Sequence, residues 1–100
     1  MTIKLIALYR KPDDVEKFMR HYDDVHTPLV RKLPHLQELR VSHVTGSPMG
    51  SPPYYLMAEM AFADRETFDQ AMASPENRAA GKDLMSFAGG LVTLMITEAA

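Results

Sequence analysis

The chain contains no cysteine, which excludes disulfides, thiolate nucleophiles, cysteine-ligated zinc and iron–sulfur clusters together. It has no apolar run approaching the roughly 20 residues that span a bilayer. Nor does it open on a charged-then-apolar leader, so a cytoplasmic protein with no membrane partner is expected. An excess of positive charge is missing as well. The formal net charge is -2, which gives phosphate polymers no attraction and makes nucleic acid an unexpected partner. The five glycines, at positions 46, 50, 81, 89 and 90, follow no phosphate-loop, dinucleotide or nucleophile-elbow spacing. No organic cofactor and no tightly bound metal or flavin is therefore expected.

What is present is an ordinary globular share of apolar residues, 46% of 100 residues, which suits one core. Residues 1–100 read as a single domain. Residues 2–9 alternate Ile3, Leu5, Ala7 and Tyr9 against Lys4, Ile6 and Leu8, a strand with apolar side chains on both faces. Asp13, with Glu16 three residues on, predicts a helix start. The helix runs toward Lys32-Leu33-Pro34 with a stripe of Val15, Phe18, Met19, Tyr22, Val25, Leu29 and Leu33. Residues 36–45 and 54–62 read as further strands, separated by a proline- and glycine-rich loop, and the second of them is expected to be central. Asp64 caps a short helix through Met72; Ser74 and Pro75 open another, which Gly89-Gly90 stops. Residues 91–98 form the last strand. This order is the split βαβ pattern of a ferredoxin-like α+β sandwich, βαββαβ, with helices on one face of an antiparallel sheet. The other face is too apolar to stand in water, so a homodimer packed sheet against sheet is predicted.

At about 100° per residue, His26 falls inside the apolar stripe of the first helix and points inward. On that ground alone it could equally be a satisfied core residue. Two residues on, Pro28 removes the bond to the Asp24 carbonyl and pushes Thr27 away from α geometry, so the helix should bend or unwind at His26. A local rule broken beside an inward polar ring marks His26 as a candidate acid or base. His21 lies about 140° away by the same geometry, too far for a chelating pair, so no metal site is expected. Glu59 interrupts a buried-looking strand, either as a solvent-facing residue or as a buried acid that pairs with His26. Tyr9, Tyr22, Tyr54 and Tyr55 could supply phenol donors to a pocket.

Taken together, Leu8-Tyr9-Arg10, Phe18, His21-Tyr22, His26, Pro28-Leu29, Lys32-Leu33-Pro34, Tyr54-Tyr55, Ser74-Pro75-Glu76 and Phe87-Ala88 resemble the EthD family over nearly the whole chain. The run from His21 to Leu29 is the most specific part. The resemblance implies a dimeric α+β barrel, in a superfamily that holds cofactor-free oxygenases, isomerases, cyclases and haem-binding members, and a place in degradation of a small hydrophobic compound. In the reading favoured here His26 is the general acid or base, Tyr22 and Tyr55 are donors and Glu59 orients or tunes the histidine, with ligand contacts from Tyr9, His21, Tyr55 and Phe87. His35 stands where a glycine is expected after Lys-Leu-Pro, which should alter only the turn. The leading expectation is a cofactor-independent oxidoreductase, isomerase or cyclase acting on a small hydrophobic organic ligand. The alternatives are a non-catalytic carrier of a hydrophobic intermediate and a haem-handling barrel with His26 or His43 as axial ligand.

Overall fold

The four alternating stretches form four strands, all paired antiparallel in the order β2-β3-β1-β4. A computed structural model describes residues 2–100. The strands are β1 (Ile3–Tyr9), β2 (Glu38–His43), β3 (Leu56–Phe62) and β4 (Val92–Glu98). The helices are α1 (Val15–His21), α2 (Thr27–Val30), α3 (Arg65–Met72) and α4 (Pro75–Ala88), with a π-helical turn over Tyr22–His26 between the first two. This is the predicted ferredoxin-like sandwich, with β1 and β3 in the centre of the sheet.

Period-two alternation sorts the sheet into two faces. Ile3, Ala7 and Tyr9 of β1 and Leu56, Ala58, Met60 and Phe62 of β3 belong to one buried core with Phe18, Tyr22, Phe68, Ala71, Ala80, Leu84 and Ala88 of the helices. Ile6, Leu8, Met57, Ala61 and Met95 stand on the other face, which no helix covers. Two helix starts follow the sequence reading. Asp64 and Thr67 form a reciprocal capping box, and Ser74 accepts from the Asn77 backbone N–H at 3.1 Å. The first helix begins one residue later than predicted, capped by Asp14 through the Lys17 N–H at 3.0 Å. His35 takes φ 65°, the left-handed backbone that glycine adopts without strain, so the expected glycine position is a real turn requirement.

The segment around His26 departs from α geometry where predicted, but it widens rather than bends. The Thr27 N–H bonds to the Tyr22 carbonyl five residues back, the signature of a π turn. Thr27 itself keeps helical backbone at φ -56°, ψ -46°, against expectation. The pre-proline restriction disfavours that conformation without forbidding it, and Pro28 sits in the first turn of α2, where its missing N–H costs little. The extra residue also shifts the phase of the stripe. Val25, predicted to face inward, is 42% exposed.

Candidate functional site

The π turn builds the site. In an α-helix, residues five apart diverge; an i→i+5 ladder returns to the same face after five residues. His21 and His26 therefore face the same partner on α4, which corrects the expected divergence. His21 Nε2 lies 2.8 Å from Asp83 Oδ1 and His26 Nδ1 lies 3.0 Å from Asp83 Oδ2. One carboxylate thus bridges two imidazoles. A carboxylate oxygen accepts, so each ring nitrogen facing it carries its hydrogen.

The two rings differ in access. The His26 side chain is 6% exposed and the His21 side chain 32%. Phe87 packs against both, with ring centroids 4.5 Å from His21 and 5.1 Å from His26. Burial holds His26 below its ordinary value of 6.5; the hydrogen bond and charge of Asp83 pull it back part of the way, and His21 pushes it down. At neutral pH His26 is uncharged, Nδ1–H is given to Asp83, and Nε2 is left as a free lone pair.

That direction has a consequence for folding. The unfolded chain takes up a proton at His26 as pH falls through about 6.5, while the folded chain resists it, so the folded state loses stability below that pH and keeps its full contribution above it. Urea midpoints measured from pH 7.5 down to 5.0 are expected to fall more steeply for the wild type than for His26→Asn. The difference is bounded by about 1.4 kcal/mol per pH unit for one proton. Parallel curves for the two proteins would remove His26 as its source.

His26 also lines a cavity of about 190 Å³ between sheet and helices, together with Tyr9, Met60, Met72, Asn77, Leu84 and Leu94 among others. No Lys, Arg, Asp or Glu is among its lining residues. Leu94 is 47% exposed at the β4 edge, which places the mouth there. Tyr9 is buried and meets Tyr22 edge-on with centroids 5.6 Å apart. Burial, with smaller contributions from Tyr22 and Asp83, raises the Tyr9 phenol far above its ordinary value. Burial and the nearby Asp23 push Tyr22 up to about 12. Both phenols stay protonated and can donate. His21 and Phe87 line a separate outer groove with Asp14, Lys17 and Ser86. Among the described residues no three histidine or carboxylate side chains are placed to hold a metal ion; the two imidazoles and Asp83 spend their facing atoms on one another.

Two expected site residues lie elsewhere. Ala58 and Met60 face the helices, so alternation turns Glu59 to the uncovered face, where it meets Lys4 Nζ at 3.2 Å. It does not pair with His26. Tyr55 packs against His43, with centroids 5.6 Å apart, and is not among the residues that line the cavity. The Tyr22 and His26 rings lie tilted to one another with centroids 5.6 Å apart, and Tyr22 is not among the cavity's lining residues. The residue that sequence reasoning missed is Asp83. It stands three residues after the buried Ala80 and four before Phe87, on the edge of the inward stripe of α4. The signal that singled out His26, a polar side chain at an inward helical position, was therefore present for Asp83 too.

Comparison with known proteins places the chain in a family. A family model described as EthD domain matches residues 10–90. The chain is 50% identical to an ethyl tert-butyl ether D family protein of Bacillus halodurans whose crystal structure superimposes with a TM-score of 0.94, covering 100% of both chains. It is 30% identical over 95 residues to an uncharacterized 11.0 kDa protein of the thcB-thcC intergenic region of Rhodococcus erythropolis, spanning 95% of this chain and 92% of that one. At 16% identity, a dimeric ferredoxin-like protein of unknown function from Jannaschia sp. shares the fold, with a TM-score of 0.72 over 99% of this chain and 100% of the other.

Proposed function

The chain belongs to the EthD family, and on that premise we propose that each subunit takes one small, uncharged organic molecule into the inner cavity and moves a proton on it with His26. The observation that carries this reading is the free Nε2 of a neutral histidine lining an otherwise mostly apolar cavity, with Nδ1 fixed by Asp83. A cavity of about 150 Å³ accepts benzene; one of about 190 Å³ takes a single ring or a branched molecule of similar size. Without a charged side chain in the lining, a neutral ligand is favoured over a carboxylate or an amine. Tyr9 lines the same cavity, and in this reading its phenol turns its hydrogen from Tyr22 to an oxygen on the ligand while His26 withdraws the proton beside it. General base help of this kind accelerates by about 10²–10⁴ and needs no organic cofactor. A haem does not fit, because a porphyrin is several rings wide and the cavity holds about one; His43, against Tyr55 at the sheet edge, offers it no second site.

The same reading includes a homodimer through the uncovered sheet face, whose apolar members are Ile6, Leu8, Met57, Ala61 and Met95. Its support is that face and the dimeric description of a protein that shares the fold.

The test uses two probes: benzene for occupancy of the cavity and cyclohexanone as a carbon acid. Chemical-shift changes at Met60, Leu84 and His26 are expected to report benzene in the cavity. Exchange of the ketone α-hydrogens in D₂O is expected to be catalysed by the wild type and to fall by about 10² or more in His26→Asn, with the fold retained. Benzene binding with no exchange by either protein would favour a carrier. A His26 variant that melts far below wild type yet binds and exchanges normally would overturn the site assignment.

A further inference from the structure

We infer that His21 is a positioning residue that sets the base strength of His26 from the outer surface, by holding and competing for the one carboxylate they share. The inference rests on the reading of His26 as the acid–base group. Three observations carry it. Asp83 gives one oxygen to each imidazole, at 2.8 and 3.0 Å, so its charge and orientation are divided between them. Phe87 lies against both rings, which makes the carboxylate the polar path that joins them. Only His21 reaches the outer groove and is substantially exposed; His26 is closed off behind it.

The chemistry follows from charge. With His21 neutral, its Nε2–H pins Asp83 in place while the full negative charge supports a proton on His26. When His21 takes a proton from solvent at Nδ1, the imidazolium neutralises Asp83, and the carboxylate's pull on His26 weakens. The inner base is then weaker at the moment the outer surface is acidic. The other groups that face the pair do not replace this control. From α1 and its cap, Lys17 and Asp14 border the outer groove with opposite charges. From β1 and the π turn, Tyr9 and Tyr22 face His26 as uncharged phenols.

Histidine ¹⁵N and ¹H resonances followed through a pH titration test this without any turnover. In the wild type the His26 Nδ1–H resonance is expected to respond to the protonation state of His21, because both rings bond one carboxylate. In His21→Gln the side-chain amide N–H can still donate to Asp83, so the carboxylate keeps its place, but the titrating charge is gone. That response should vanish, and the apparent His26 pKa should rise as the lowering influence of His21 is removed. In His21→Phe the donor is lost as well, and the Nδ1–H is expected to exchange with water faster than in His21→Gln. A His26 resonance that ignores the titration of His21, or that behaves alike in wild type and His21→Gln, would overturn the inference. Ketone exchange separates the two claims: coupling in the spectra with no exchange in any protein defeats the acid–base reading and leaves the coupling standing.

Discussion

Replacing Asp83 with alanine is expected to lower the melting temperature by roughly 5–20 °C and to abolish base catalysis at His26. The thermal estimate follows from the contacts. The change strands the Nδ1–H of a buried imidazole, and an unsatisfied buried donor costs about 1–3 kcal/mol. In a domain of this size each kcal/mol moves the midpoint by about 4–8 °C. The chemical effect comes from the tautomer. Once Asp83 is gone, nothing holds the hydrogen on Nδ1, so Nε2 spends part of its time protonated and unable to accept. Asp83→Asn separates the two effects, because an amide oxygen can still accept from His26 and retains most of the stability, while its missing charge leaves the base weaker. Calorimetry and ketone exchange on both variants check this. An alanine variant that melts with the wild type would mean that the short His26 to Asp83 contact is not a stabilising bond in solution.

A single arginine at Met57 is expected to convert the dimer to a monomer without unfolding it. Met57 lies on the uncovered face between Ser42 of β2 and Leu8 of β1. In a two-fold assembly through that face, each new guanidinium is carried twice and enters an apolar contact, where unpaired or like charges cost several kcal/mol. In the isolated subunit the same side chain reaches water, so the sandwich keeps its own core. Light scattering at micromolar concentration should give twice the chain mass for the wild type and the single mass for Met57→Arg, with unchanged far-ultraviolet dichroism. A dimer mass retained by the variant would move the interface elsewhere.

The sheet was legible because alternation is a direct consequence of the pleat. Ile3, Ala7 and Tyr9, and Leu56, Ala58, Met60 and Phe62, announce their buried face in any window of seven. Helix starts were legible wherever a cap and a proline coincide, as at Ser74-Pro75, and less so at Asp13-Asp14, where two adjacent aspartates offer the same oxygen and the second takes the role. The site was half legible. His26 and the disturbance at Pro28 could be read, but the form of the disturbance could not, because a periodicity of 100° per residue presupposes the α ladder that the segment abandons. From that presupposition followed the wrong separation of His21 from His26 and the inward placement of Val25. Glu59 was misjudged for a different reason. A carboxylate in an apolar strand says that one face tolerates charge, and the alternation of Leu56, Ala58, Met60 and Phe62 already set Glu59 on the opposite face, where its charge is answered by Lys4 two positions along the neighbouring strand.

The π turn also means that this site is written in the pitch of the helix as much as in the letters of the chain. In an uninterrupted α-helix the same five-residue spacing would set the two rings about 140° apart, so they meet Asp83 only because the ladder widens between Tyr22 and His26. Taking out Val25, which is exposed and has no part in the site, would leave the two histidines four residues apart, a spacing that an ordinary α-helix keeps on one face. A π turn at a spacing of five residues and an α turn at a spacing of four therefore present the same pair to the same carboxylate.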